Sequence, residues 1–346
     1  MGQDRRGTPA MARDMVETMH RPDGSLALRP IHTRGVGAKG YFEASPVARS
    51  FSASEPFAGE RVPVTVRFSN GSGAVERRDG WSDIRGMATR FHLAGPSDWD
   101  LIAMTLPEFF TPDAPTTLDF LKASQPTPYK GETPWQKLRD YLSLKVPKRD
   151  PYPGETISPD DGAKRYADDH VHAQLGVFQA GTIGAPVSYA CAAYHAVHTF
   201  IVTDPDGVRR WVRFTWQPVA GVLNTDPAQP IRDDYLPGEL RKRLSGRETA
   251  RMSLMMAIGE AGDDVNDSTT PWPLHRTRVV MGELTLTDVP DEHAQTHEIE
   301  TMSYNPWLLP EGIEASDDPV LAIRKEAYEI SSGIRKADPC PFAKGR

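Results

Sequence analysis

The stretch Arg61–Ser69 alternates without a break. Val62, Val64, Val66 and Phe68 fall on one side of an extended chain, and Thr65, Arg67 and Ser69 on the other. A period of two is the mark of a strand with one apolar face. Residues 86–93, 99–106 and 279–289 read as further strands. Residues 196–203 and 208–216 flank Asp204-Pro205-Asp206-Gly207, a run of turn-forming residues that predicts a hairpin. In residues 250–258 the spacing of Ala250, Met252, Leu254 and Met256 again predicts a strand. Helical segments are expected over 117–123, 135–144 and 235–244. The clearest is the last: Asp318-Pro319 supplies a capping residue and then proline at the first helical position, starting a helix that reaches about Ile334. Residues 1–20 are polar and read as a flexible N-terminal arm, with 21–346 as a single domain. The proline-rich, charged stretch 146–165 reads as a surface loop. Many strands followed by late helices predict an α+β fold, an antiparallel barrel with attached helices, rather than alternating βαβ units.

Composition narrows the functional classes. The chain has 346 residues, 38% of them hydrophobic, enough for a large core, and a formal net charge of -7 with mixed signs. No basic stripe marks a nucleic-acid surface. No apolar run is long enough to span a membrane. The N-terminus lacks the apolar stretch of a secretory signal. Two cysteines, Cys191 and Cys340, form no metal-spaced cluster, and a reduced cytoplasmic protein is expected. Neither a Gly-x-Ser-x-Gly elbow nor a Walker loop occurs.

Gly35-x-Gly37-x-x-Gly40 matches the dinucleotide-binding fingerprint by letter. That fingerprint needs a buried strand before it and a helix after it. Here Leu28–Arg34 contains a proline and three basic groups, and Tyr41–Pro46 is a poor helix. The glycines are better read as permitting a tight backbone path beside something bulky. His170 and His172 stand near Asp168 and Asp169, but without further ligand spacing they are taken as solvated. Alone, His32 is an ordinary partly buried histidine. The polar stripe of Arg67 and Ser69 faces either solvent or a ligand inside a barrel. Tyr328 follows Arg324 by four positions, so on a helix the two share a face. A guanidinium there favours the phenolate, a competent ligand for ferric iron.

Several motifs together carry a resemblance. Arg29-Pro30-Ile31-His32-Thr33-Arg34-Gly35-Val36-Gly37-Ala38-Lys39-Gly40-Tyr41-Phe42 resembles the active-site segment of haem catalases. In order there follow Val66-Arg67-Phe68-Ser69, Asp83-Ile84-Arg85-Gly86, Trp99-Asp100-Leu101, Pro107-Glu108-Phe109-Phe110, His198-Thr199-Phe200 and Leu309–Ser316 leading into Arg324 and Tyr328. The likeness is collinear from about Arg29 to Arg335. It implies a catalase-like eight-stranded antiparallel β-barrel with surrounding helices and one haem b (iron protoporphyrin IX). The short arm, and a chain that ends soon after Tyr328, resemble the minimal, catalase-related peroxidase branch.

By that resemblance His32 is the distal acid–base, Ser69 orients it, Arg29 and Arg67 pair with the haem propionates, and Phe110 lies over the distal face. Tyr328 is the axial iron ligand and Arg324 keeps it ionised. Thr105 stands where catalases carry a distal asparagine, which implies peroxidase activity with weak catalase activity. The substrates implied are hydrogen peroxide or an organic hydroperoxide with a small organic electron donor, in a homo-oligomer. A true catalase, a fatty-acid hydroperoxide isomerase and a haem carrier or sensor are the alternatives. Ile31, apolar before His32, counts against the isomerase.

Overall fold

The computed structural model describes residues 5–20, 26, 28–73, 77–125, 127–128, 133–145, 157–226, 228, 232–246 and 248–337. Eight strands close on themselves: β1 (Gly35–Ala44), β2 (Val62–Asn70), β3 (Arg85–Phe91), β4 (Trp99–Met104), β5 (Tyr194–Thr203), β6 (Arg209–Pro218), β7 (Ala250–Ile258) and β8 (Arg278–Asp288). Their spatial order is β5-β4-β3-β2-β1-β8-β7-β6, and β6 pairs back to β5, so the ring leaves no free edge. All these pairings are antiparallel. A short β9 (Ile313–Ala315) adds to the side of β5.

The alternating apolar residues fill the barrel. Val64, Val66 and Phe68 of β2 meet Phe91, Trp99, Phe214, Trp216 and the Met252–Met256 stripe in one cluster. At its centre the rings of Phe91 and Trp99 stack at 4.5 Å, and Phe42 meets Phe91 edge-on at 5.3 Å. The barrel interior is therefore a packed aromatic core, not a polar ligand cavity.

The polar stripe of β2 faces outward, yet it is not solvated. Thr65, Arg67 and Ser69 are 4%, 3% and 3% exposed. Covering segments lie over this outer wall. One is 28–34. Another runs from a one-turn helix (Glu292–Ala294) through a π-turn (Gln295–Ile299) to Tyr304. Gln295 locks that turn to β1, accepting from Gly37 N–H and donating to Gly37 O, both at 2.8 Å. Asp100, fully buried, holds the far end by accepting from Asn305 N–H at 2.7 Å and pairing with Arg90.

Helices pack on the remaining sides: α1 (Pro9–Met19), α2 (Ala114–Ala123), α3 (Pro134–Leu142), α4 (Pro159–Asp169), α5 (Val171–Thr182), α6 (Tyr235–Ser245) and α7 (Pro319–Ala337). α1 occupies residues expected to lie as a loose arm. It forms because Ala12 and Met15, small and sparse, still give one apolar stripe that packs with Ala114, Leu118 and Ile323. α4 begins inside the segment read as a loop, whose residues 146–156 lie outside the described part. His170 and His172 are half-buried, not free in solvent: His170 stacks on Tyr166 at 3.8 Å. Among the described residues no helix is long and apolar enough to cross a membrane, and no group of three or more His, Cys, Asp or Glu could hold a metal ion.

Closure rests on β1 against β8, where the register shifts at Lys39/Gly40. A Cβ on Gly40 would sit 2.1 Å from Thr285 O, a backbone atom that cannot swing aside. Gly40→Ala is expected to destabilise the protein by about 1–3 kcal/mol, read as a lower urea midpoint. An unchanged midpoint would show that this seam is looser than described.

Candidate active site

His32 lies on the covering segment 28–34, against the outer wall at Ser69 and Gly86. Its backbone is left-handed, with φ 55°, a conformation that costs a non-glycine residue about 1 kcal/mol or more. Three hydrogen bonds hold it. His32 N–H donates to Gly71 O at 3.2 Å, and Arg67 donates from Nη1 to His32 O at 2.9 Å and from Nη2 to Thr33 O at 3.1 Å. The imidazole Nδ1 lies 3.0 Å from Ser69 Oγ and 3.1 Å from Asn70 O. A carbonyl oxygen can only accept, so the proton belongs on Nδ1 and the Nε2 lone pair is left for a substrate. Burial, followed by the charge of Arg67, lowers the His32 pKa to about 4, so the ring is neutral at pH 7.

Small residues make room for this ring. Gly86 pairs with Ser69 across β2 and β3, and a Cβ there would stand 2.8 Å from both His32 Nδ1 and Ser69 Oγ. Thr105 follows β4 beside this floor. Its hydroxyl accepts from Arg85 N–H at 3.0 Å, which leaves its own O–H as a donor.

Next to His32 lies a cluster of charge. Arg67 Nε donates to Glu300 Oε1 at 2.8 Å, and Arg29 binds the other oxygen of the same carboxylate and Met302 O. Burial pushes Glu300 up, but Arg67 and Arg29 outweigh it and its carboxyl ends below the usual range. Burial and then Arg67 push Arg29 down to about 9, still cationic at neutral pH. Arg335 joins from α7: its pKa is lowered by burial and then by Arg67, while Glu300 and Tyr328 act the other way.

On the same helix, Arg324 Nη2 donates to Tyr328 OH at 2.8 Å. Its Nη1 lies 2.8 Å from His198 Nε2, and His198 Nδ1 lies 2.6 Å from Asp318 Oδ2. The guanidinium can only donate, so His198 accepts at Nε2 and donates from Nδ1–H to the carboxylate. His198 and Asp318 are 3% and 1% exposed. Burial lowers the His198 pKa against the opposing pull of Asp318. Asp318 sits below the usual carboxylate range because His198 and the N–H groups of Val320 and Leu321 outweigh its burial. The charge of Arg324 also contributes to lowering the His32 pKa, so the two sets of residues feel each other.

Simple alternation would point His198 inward beside Ala196 and Phe200. The β5–β6 register shifts between these two, and His198 instead reaches α7. Phe109 lies against His198, ring centroids 6.4 Å apart. Phe110 stacks on Phe120 at 4.9 Å and backs onto Gly176 of α5.

Of the residues expected at the site from the sequence, His32, Arg29, Arg67 and Ser69 come together here, Thr105 binds Arg85 N–H beside them, and Arg324 with Tyr328 stands near enough for its charge to act on His32, whereas Phe110 packs against Phe120 and Gly176. Five were not expected in these roles: Asn70, His198, Glu300, Asp318 and Arg335. Arg335 had a readable signal, since it stands seven positions after Tyr328 on one helix face. Glu300 had none, because a π-turn delivers it from a distant part of the chain.

The haem that the resemblance implies carries two propionate carboxylates on a flat apolar ring and takes one axial protein ligand. Three guanidinium groups, those of Arg29, Arg67 and Arg335, surround the carboxylate of Glu300, so that among the described residues of this cluster two positive charges exceed the negative one. Two anionic arms on a ligand would neutralise them. Tyr328 OH receives one donor from Arg324 and keeps a lone pair for a metal. Residues and group fit.

Comparison with known proteins agrees. The family model described as "Catalase" matches residues 11–148 and 167–337. The chain is 31% identical to a "Catalase-related peroxidase" of Mycolicibacterium paratuberculosis, over 89% of this chain and 88% of the relative. It is 26% identical to a protein of the same description from Synechococcus elongatus, over 90% and 84%. "Catalase-2" of Bacillus subtilis is 26% identical over 91% of this chain but only 46% of its own length.

Asp318→Asn would replace the carboxylate that accepts from His198 Nδ1–H by a neutral amide. It is expected to cost about 1.5–3 kcal/mol, measured by chemical denaturation. Wild-type stability would mean that the Asp318 carboxylate does not hold His198.

Proposed function

The chain belongs to the catalase family, and from that premise we propose that the wall around His32 is the distal side of a peroxidase site whose haem b is held through Tyr328. The protein is an oxidoreductase that acts on peroxide. The observation that carries the residue assignment is the state of His32: neutral, with Nδ1 committed to Asn70 O and Ser69 and Nε2 free.

When bound, the haem supplies the iron at which the O–O bond breaks and the store for the oxidising equivalents. His32 Nε2 takes the proton of the incoming peroxide and returns it to the oxygen that departs, so water or an alcohol leaves. Ser69 and Asn70 O hold the ring in one tautomer throughout. Arg324 donates to the Tyr328 oxygen, and the fixed Asp318–His198 pair holds Arg324. Arg29, Arg67 and Arg335 would hold the propionates, and Phe110 would wall the distal side.

Thr105 decides the balance between activities. A threonine hydroxyl is shorter than an asparagine amide, and this one already accepts from Arg85 N–H. It offers a second hydrogen peroxide one donor at most, so turnover with a small organic electron donor exceeds oxygen release.

His32→Ala is expected to slow the reaction with hydrogen peroxide by about 100-fold or more while the haem absorbance band stays. Stopped-flow absorbance checks both, and wild-type rates in the variant would remove His32 from the mechanism. The same rate in the wild type should be flat above about pH 5. It should fall as pH drops through about 4, where the Nε2 lone pair is taken by a proton. A midpoint near the ordinary histidine value would contradict the buried environment.

A further inference from the structure

Tyr304 carries a hydroxyl that its surroundings do not use. The residue is 5% exposed, and among the described residues its phenol oxygen, shut off from solvent, has no hydrogen-bond partner. A buried phenol ordinarily finds one, because an O–H taken out of water without a partner destabilises the fold. A ring needed only for its bulk would be served by phenylalanine, which carries no such penalty.

The chain around Tyr304 is fixed. Arg90 Nη2 donates to Ser303 O at 2.8 Å, and Asn305 N–H donates to Asp100 Oδ2 at 2.7 Å, so both neighbours are held to the barrel. The Arg90 guanidinium carbon lies 5.7 Å from the centre of the Tyr304 ring. Two positions earlier, Met302 O accepts from Arg29 at 2.7 Å, which sets the segment against the arginine cluster. The carboxylates nearby are already committed. Both oxygens of Asp100 accept from Arg90, and those of Glu300 accept from Arg67 and Arg29. Burial raises the Tyr304 pKa, and the charges of Arg29 and Arg67 pull it back only in part, so the phenol keeps its proton at neutral pH. It has a hydrogen to donate, in a cluster whose cations outnumber its anion.

We propose that Tyr304 is a further binding residue for the haem, donating its hydroxyl hydrogen to a propionate carboxylate beside Arg29 and Arg67. This rests on the reading of the wall as a haem site. The carboxylate brings the acceptor that the hydroxyl lacks, and a neutral donor adds no charge to a cluster already rich in cations.

The test is Tyr304→Phe, which removes one oxygen and keeps the ring against Arg90. Wild-type and variant holoenzymes are each mixed with excess apomyoglobin, and haem transfer is followed by absorbance. The variant is expected to release haem about tenfold faster or more, as fits the loss of one hydrogen bond to a charged acceptor, while its circular dichroism stays that of the wild type. In resonance Raman spectra the propionate bending band is expected to shift and the iron–tyrosinate bands to stay. Equal release rates overturn the inference and leave the haem reading intact. Faster release with an unmoved propionate band also overturns it, assigning Tyr304 to packing alone. A wild type that holds no haem even after reconstitution overturns the haem reading itself, and this inference with it.

Discussion

Arg67 is the residue on which the site's geometry depends. It is 3% exposed, on the outer wall of a barrel strand, and it commits donors to Glu300, His32 O and Thr33 O. Removing a guanidinium from water costs several kcal/mol, and only a full set of acceptors offsets that. Those acceptors lie on two separate covering segments. The requirement to satisfy one buried cation therefore fixes the backbone at His32, including its left-handed φ, and the position of Glu300. Gly35 completes the arrangement: a Cβ there would sit 2.6 Å from the Arg67 guanidinium carbon.

The barrel separates two kinds of burial. Its interior is aromatic and aliphatic, and gives the frame rigidity through close packing. Its outer wall is polar, and there order comes from directional bonds: Gln295 to β1, Asp100 to Arg90, and Asp318 to His198. A site that needs a neutral histidine next to three arginines belongs on the second surface, where each group has a defined partner.

The strands that could be read from the sequence are those whose inward residues are large. β2, β6 and β7 alternate plainly, and the last helix announces itself by Asp318-Pro319. β1 was unreadable because glycine occupies positions 35, 37 and 40, which erases the pattern that Val36, Ala38 and Phe42 would otherwise show. Alternation alone points the polar stripe of β2 to solvent or to a barrel interior. It is neither, since a single strand's pattern says nothing of the segments that later cover it. His32, Tyr328 and the residues around them were found through family resemblance, not spacing. What the resemblance did not supply, the reach of Glu300 and the turning of His198, depends on a π-turn and on a register shift, and neither has a compositional mark.

The pairing of β1 with β8 joins Phe42 to Leu284 and Gly40 to Leu286. The ring can therefore close only when nearly all of the chain is available, and contacts of such long range make folding slow. During synthesis β1 and β2 would emerge early, with an unpaired strand edge and the valines of β2 uncovered, a state open to association with other chains. The same late closure gathers Arg67 to Glu300 and β1 to Gln295, so the outer wall acquires its order together with the barrel. Ordering of the wall around Arg67 and completion of the barrel are then one event.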